Sequence, residues 1–513
     1  MSTLQRSLVR AGLPVVLALL AAWALQSLAL RAGNTLHANG RWESTKVGLE
    51  RGILGAVSFV ATRTALHRNR LDLGVWHGFH ELLLREPVTL SRLSLRFRLR
   101  KGGWLAVITA HDGARFEAVR VSADPDFPPA CLAGTAAGAF TAKRPLALPE
   151  PGRGWHALAL VREGDALRVE LDGAALAHCP VSLAGALRIG VRGSAADHVE
   201  VDDLRVESAA PPGVIVEDFA NQRGAGRLFG AALALVATLG TAVAFLAARS
   251  GSAAAPAFTA TQLVVLVCTG LALLADTLYF GRRHPERIDF AGFENRIEYE
   301  GQIVPRLARE HPLAAPPAGV RRILILGSSQ TWGSGAAHTE DVWVRRLEAG
   351  LNESARLGER FEVIDAGVPA EVAKDQRKHF EESWVAWQPE LVLVNLGNND
   401  RDPRILAREV ERIARRAREA GSRVVFVPEP NCVEGRSARS LRVLVANHAA
   451  MREVAARLGL PVVEVHGRLH AERDSGFLWW DRVHLTSYGQ ERLARLLLEA
   501  RAEWLDAGIA RGS

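Results

Sequence analysis

The chain reads as a membrane-anchored, multidomain protein. It combines a β-sandwich with a three-layer α/β domain built on a parallel five-stranded sheet, divided by three transmembrane helices. Three observations predict this. Three long runs carry almost no charge, the segment between the first two alternates apolar and polar residues with period two, and the C-terminal third alternates short apolar runs with amphipathic stretches. At 513 residues, with 48% hydrophobic and 23% charged, the chain is neither disordered nor fibrous.

The first apolar run fills residues 11–30, between Arg10 and Arg31. As a helix it would be about 30 Å long, one hydrocarbon thickness. Arg6 and Arg10 precede it and no convincing A-x-A site follows, so residues 1–31 read as an uncleaved signal anchor. The second and third runs cover 228–248 and 258–280, and read as a helical hairpin rich in Gly and Ala. Three spans put both large segments on one side of a bilayer. Arg6 and Arg10 place the N-terminus inside, whereas Arg31, Arg223, Arg227, Arg282 and Arg283 argue the reverse. The possible Cys131–Cys179 pair and the signal-like start tip the expectation to both domains facing outward from a bacterial-type inner membrane, with the lipid bilayer as a partner.

Between the spans, residues 32–227 form the first domain, β-rich from about Leu71. Leu95–Leu99, Ala166–Asp172, Leu187–Val191 and Val199–Val206 alternate as half-buried strands. Asp172-Gly173 is a hairpin turn signal. Several short strands at regular spacing suggest a sandwich. Cys131 and Cys179 lie in this segment and either pair in an oxidising compartment or remain two buried thiols. Asp124 and Asp126 read as a solvated turn rather than a calcium site, and Trp76, Trp104 and Trp155 as core rather than sugar platforms. The strand pattern of residues 71–208 resembles the concanavalin A-like or laminin G-like jelly roll, whose members often bind glycans.

After a linker at 281–320, residues 321–513 form the last domain. Ile323–Leu326, Phe361–Ile364, Leu391–Val394, Val424–Val427 and Val462-Val463 read as strands. Residues 340–350, 370–386, 403–420, 440–458 and 487–507 read as the helices between and after them. This βαβ series predicts a parallel sheet covered on both faces, with a site beyond the carboxyl ends of the strands. The residues there are informative: Gly327-Ser-Ser329-Gln-Thr-Trp-Gly333, Asp365-Ala-Gly367, Gly397-Asn-Asn399-Asp400 and, near the end, Asp481-Arg-Val-His484.

These four blocks, in this order, closely resemble those of the SGNH/GDSL hydrolase superfamily. The resemblance implies Ser329 as nucleophile, Asp481 and His484 as its triad partners, and Ser329, Gly367 and Asn399 as the oxyanion hole. One position departs: where the family commonly has Asp before the nucleophile, this chain has Ser328.

The chemistry follows from the residues as well. A serine hydroxyl needs a base to become a nucleophile, and His484 is suited to that near neutral pH. Asp481, three residues earlier, is placed to fix the histidine tautomer. Backbone N–H groups at Ser329 and Gly367 and the Asn399 amide would stabilise the oxyanion. Trp479 and Trp480 precede this loop and read as pocket wall or core. The expected activity is cleavage or transfer of an O-acyl group on a small molecule or glycan, such as an acetyl group on an envelope glycan. The rival readings are an O-acyltransferase and a non-catalytic glycan-binding or scaffold protein with a degenerate hydrolase domain. The net charge of +7 comes from scattered Arg, so no nucleic-acid partner is expected. With no CxxC and no metal-type Cys/His spacing, no metal or cofactor is expected either.

Overall fold

The computed structural model describes residues 81–99, 103–194, 199–217, 300–311, 314–336, 338–355, 359–432, 441–480 and 482–505. It also describes short stretches at 42–44, 48–51, 57–60, 65–66 and 71–73, and residue 249.

Strands β1 to β17 run, in order, Trp42–Ser44, Gly48–Arg51, Val57–Val60, Ala65–Leu66, Leu71–Leu73, Glu81–Leu84, Thr89–Leu99, Trp104–His111, Arg115–Ser122, Ala130–Thr135, Phe140–Pro145, His156–Glu163, Ala166–Leu171, Ala174–Pro180, Gly190–Gly193, Val199–Ala210 and Pro212–Glu217. They form two antiparallel sheets, β1-β6-β15-β8-β9-β10-β11 and β14-β13-β12-β7-β16-β5-β4. β17 lies beside β16, and β2–β3 form a separate hairpin. Alternate residues of both sheets meet in one core: Leu105, Val107, Val119 and Val191 from the first, Leu95, Phe97, Leu160 and Val201 from the second. Asp172 and Gly173 both take positive φ, 52° and 84°, and join β13 to β14 in the expected two-residue turn. A disulfide links Cys131 in β10 to Cys179 in β14, so it bridges the two sheets.

The opposite face of the first sheet is also buried. Trp104, Ala106, Ile108, Phe116, Ala118 and Leu132 point there and pack against Phe477 of the C-terminal domain. This is why β8 is buried along nearly its whole length instead of alternating with solvent.

In the C-terminal domain, β18 (Val320–Gly327), β19 (Arg360–Gly367), β20 (Leu391–Asn395) and β21 (Arg423–Phe426) form a parallel sheet in the order β19-β18-β20-β21. The expected fifth strand, Val462-Val463, is reduced to a single parallel bridge between Val462 and Phe426, so the sheet has four strands rather than five. The helices are α1 (Glu300–Glu310), α2 (Trp343–Glu353), α3 (Ala373–Glu382), α4 (Pro403–Glu419), α5 (Arg442–Leu458), α6 (Val465–Ala471), α7 (Ser487–Glu499) and α8 (Arg501–Trp504). Ile323, Ile325 and Leu393 face α2 and α7, while Leu324, Leu326, Val392 and Val394 face α3, α4 and α5. The expected linker at 281–320 contributes α1, whose Ile303 and Leu307, one turn apart, pack into that second core.

Among the described residues no helix is long and apolar enough to cross a membrane. The longest, α4 and α5, have 17 residues each and carry Arg and Glu along their exposed faces. The spans expected at 1–31, 228–248 and 258–280 lie outside the described residues. The fold is therefore corrected to sheet-built units followed by an α/β domain, with no transmembrane helix supported. The expected membrane location, with both domains outside it, loses its support with them.

Candidate active site

The strand order turns at β18: the chain passes from it to β19 on one side and then crosses to β20 on the other. The carboxyl ends of these strands thus open a crevice. Ser329 sits in the tight turn after β18, with Trp332 N–H donating to Ser328 O and Ser334 N–H to Ser329 O. Glycines let this turn pack down. A Cβ on Gly327 would lie 1.8 Å from Thr331 Oγ1, and one on Gly367, at the end of β19, 2.3 Å from Trp332 N.

Ser329 Oγ lies 2.8 Å from His484 Nε2, hydrogen-bond distance across 155 residues of sequence. Both side chains are half-buried. His484 is held by its backbone: its carbonyl accepts from Trp480 N–H at 2.8 Å, and a bridge joins Trp479 to Leu485. Asp481 lies outside the described residues.

The three expected oxyanion donors come from the ends of β18, β19 and β20, but two are engaged elsewhere. The Gly367 N–H donates to Asp365 Oδ1 at 3.0 Å. One hydrogen of the Asn399 amide goes to Glu371 O at 2.9 Å, leaving the group a second hydrogen. Trp480 is half-buried with its ring 5.9 Å from the His484 ring, whereas Trp479 is buried in the α2–α7 core. Of the two expected wall residues, only Trp480 lies beside the histidine ring.

Glu429 was not anticipated. It follows β21 and is wholly buried. Its carboxyl contacts Ser328 Oγ and accepts the Asn398 N–H at 2.8 Å, tying the nucleophile turn to the loop after β20. Burial pushes its pKa up to about 7, outweighing the two hydrogen bonds. Its neighbours complete a bracket around the crevice. Gln330 donates to Pro430 O and Val483 O, Asn398 to Pro430 O, and His448 Nε2 to Glu429 O. The only signal in the sequence was position, since Glu429 stands beyond the carboxyl end of a strand. Asp400 is likewise pushed up, to about 6, mainly by burial.

Elsewhere, Asp124 caps its own turn through Asp126 N–H, and Asp126 pairs with Arg473 at 2.5 Å. Trp104 is core, Trp155 lies against Arg96 and Arg98, and Trp76 lies outside the described residues. No group of three or more potential metal ligands occurs among the described residues.

Residues 325–492 match the model of the GDSL-like Lipase/Acylhydrolase family. The C-terminal domain is a GDSL-like acylhydrolase domain. The chain is also similar to solved structures that share little sequence with it. A lipase/acylhydrolase from Enterococcus faecalis is 21% identical, covering 35% of this chain and 95% of that one with a TM-score of 0.30. The acetyl xylan esterase AlAXEase is 16% identical, covering 35% and 98% with a TM-score of 0.31. A catalytic mutant of Axe2, an acetylxylan esterase from Geobacillus stearothermophilus, is 16% identical, covering 35% and 93% with a TM-score of 0.31. No curated protein sequence matches the chain.

Proposed function

We propose that the GDSL-like domain is a serine ester hydrolase acting through Ser329, His484 and Asp481. The observation that carries the reading is the 2.8 Å contact between Ser329 Oγ and His484 Nε2, in a crevice at the strand ends. In the proposed reaction His484 Nε2 takes the hydroxyl proton as Oγ attacks the ester carbonyl. It then returns that proton to the departing alkoxide, leaving an acyl group on Ser329. Water, deprotonated by the same imidazole, then attacks the acyl carbon, and the imidazolium returns the proton to Ser329 Oγ as the C–Oγ bond breaks and the acid leaves. Asp481 fixes the imidazole tautomer. The oxyanion is met by the Ser329 N–H and the second hydrogen of the Asn399 amide. The Gly367 N–H joins them only by exchanging its Asp365 partner.

The substrate class is an O-acyl ester, and the specific case we propose is acetyl carried on a glycan. The Trp480 ring beside His484 supports this, because an aromatic face next to the base suits a sugar ring. The test is acetate release from a panel of acetylated glycans and from a small aryl acetate. Wild type is expected to turn over, with Ser329→Ala and His484→Ala each reduced by at least about a thousandfold. Equal rates in wild type and Ser329→Ala would refute the assignment.

A further inference from the structure

We infer that the β-sandwich is a working part of the hydrolase site. It grips residues 474–480 and thereby positions His484. The inference rests on the reading of Ser329 and His484 as the reacting pair.

The segment has two edges. Along one it bonds to the stretch that carries His484: Thr486 Oγ1 donates to Phe477 O at 2.5 Å, Thr486 N–H to Leu478 O at 3.0 Å, and Trp480 N–H to His484 O at 2.8 Å. Along the other it bonds to the sandwich. Phe477 N–H donates to Gly138 O at 2.8 Å, Phe140 N–H to Ser475 O at 3.0 Å, and a bridge joins Ala139 to Gly476. Tyr488 N–H, four residues past the histidine, donates to Ala137 O at 3.2 Å. The hairpin between β10 and β11 thus extends the catalytic loop as an added strand would, using main-chain groups that need partners once buried.

Side chains lock the same segment. Phe477 is 4% exposed, with its ring 5.0 to 5.6 Å from those of Phe140, Phe116 and Trp104. The Arg192 guanidinium lies 4.1 Å over that ring and reaches Trp479 O at 3.5 Å. Asp474 takes a forked bond from Arg120, 2.6 and 3.2 Å, and a third from Lys143 at 2.7 Å. The sandwich side chains Arg120, Lys143, Phe140, Phe116, Trp104 and Arg192 act on the backbone or side chains of one short stretch, and that stretch holds His484 opposite Ser329. A shift of about 1 Å in such a base costs on the order of a hundredfold in rate. These are therefore positioning residues, acting through Asp474, Phe477 and Trp479.

The test alters the sandwich alone. Gly138 has φ +108°, and a Cβ there would meet Phe477 Cβ and O at 3.3 Å, so Gly138→Ala pushes on the segment directly. Arg192→Ala removes the cation over Phe477, and Arg192→Lys keeps one. In the full chain we expect Gly138→Ala and Arg192→Ala to lower the rate of fluorophosphonate labelling at Ser329, and kcat for an aryl acetate, by about tenfold or more. KM should stay within about twofold, the thermal transition should be retained, and Arg192→Lys should recover most of the rate. Wild-type labelling in both variants overturns the inference while leaving the esterase reading intact. So does a rate that falls only with the fraction unfolded, or Arg192→Lys as slow as Arg192→Ala. No labelling of wild type, or equal labelling of Ser329→Ala, overturns the esterase reading and this inference with it.

Discussion

Glu429 is a wholly buried carboxyl. Its partners are the Ser328 hydroxyl and the Asn398 N–H. Ser328 Oγ donates to one carboxyl oxygen and the Asn398 N–H to the other. Glutamine keeps the shape of the side chain and cannot ionise. The folded pKa of about 7 lies above the ordinary 4.5, so the native state holds a proton that the unfolded chain gives up. Its contribution to stability is complete below about pH 4.5 and is lost as pH rises towards about 7. His466 acts with the opposite sign. Burial lowers it to about 4, so its contribution is lost as pH falls from its ordinary 6.5 towards that value. Comparing denaturation midpoints of wild type and Glu429→Gln isolates the first effect. The variant is expected to gain on wild type steadily between pH 4.5 and 7, and parallel curves would show that Glu429 is ionised in the fold. Ser329, Gly367, Asn399 and His484 stand out in the sequence because each lies in a block of recognisable spacing. Glu429 does not, because its role is set by Ser328, 101 residues away, and VPEPN by itself reads as an ordinary loop.

At the scale of elements, the ends of β18 and β19 are pressed against the turn that carries the nucleophile. The atoms nearest a Cβ at 367 are the Trp332 N, Thr331 C and Trp332 Cα, at 2.3 to 2.9 Å, all main chain and unable to swing aside. Gly367→Ala must therefore displace either the turn or the end of β19. The expected cost is about 1–3 kcal/mol of stability by denaturant unfolding, with kcat reduced at least about tenfold. A variant with wild-type kcat would mean that Ser329 does not depend on this close packing. The α/β strands were legible because parallel strands covered on both faces read as unbroken apolar runs. The same property hid β8 and β9. Trp104–His111 lacks period two because one face meets the sandwich core and the other Phe477. Helix α1 was hidden because only its contacts with the sheet, through Ile303 and Leu307, separate it from a linker. The N-cap of α4 was written locally. Asp402 accepts from Arg404 N–H at 2.8 Å and Pro403 follows, so Asp402→Ala should cost about 1 kcal/mol with no change in KM.

At the scale of the whole molecule, the sandwich and the acylhydrolase domain meet through loop residues. Asp474, Ser475 and Phe477 carry no periodic signal, so nothing in the sequence announced the contact. The cysteine pair was half legible. Two thiols 48 residues apart left pairing and burial open, and only the stacking of the two sheets brings β10 against β14. Closing a loop of that length restricts the unfolded chain by about 4 kcal/mol in the chain-entropy account, with about 2–4 kcal/mol the usual yield. Replacing both cysteines by alanine should therefore lower the unfolding midpoint of the sandwich while leaving the α/β sheet, which contains neither cysteine, near its original stability. Because Phe477 and Asp474 are anchored on the sandwich, labelling of Ser329 should be lost in denaturant together with the sandwich. In Cys131→Ala/Cys179→Ala that loss should move to lower denaturant by the same interval as the sandwich transition. If labelling instead followed the helical signal and ignored the disulfide, the two domains would be merely adjacent, and the site would be complete without its neighbour.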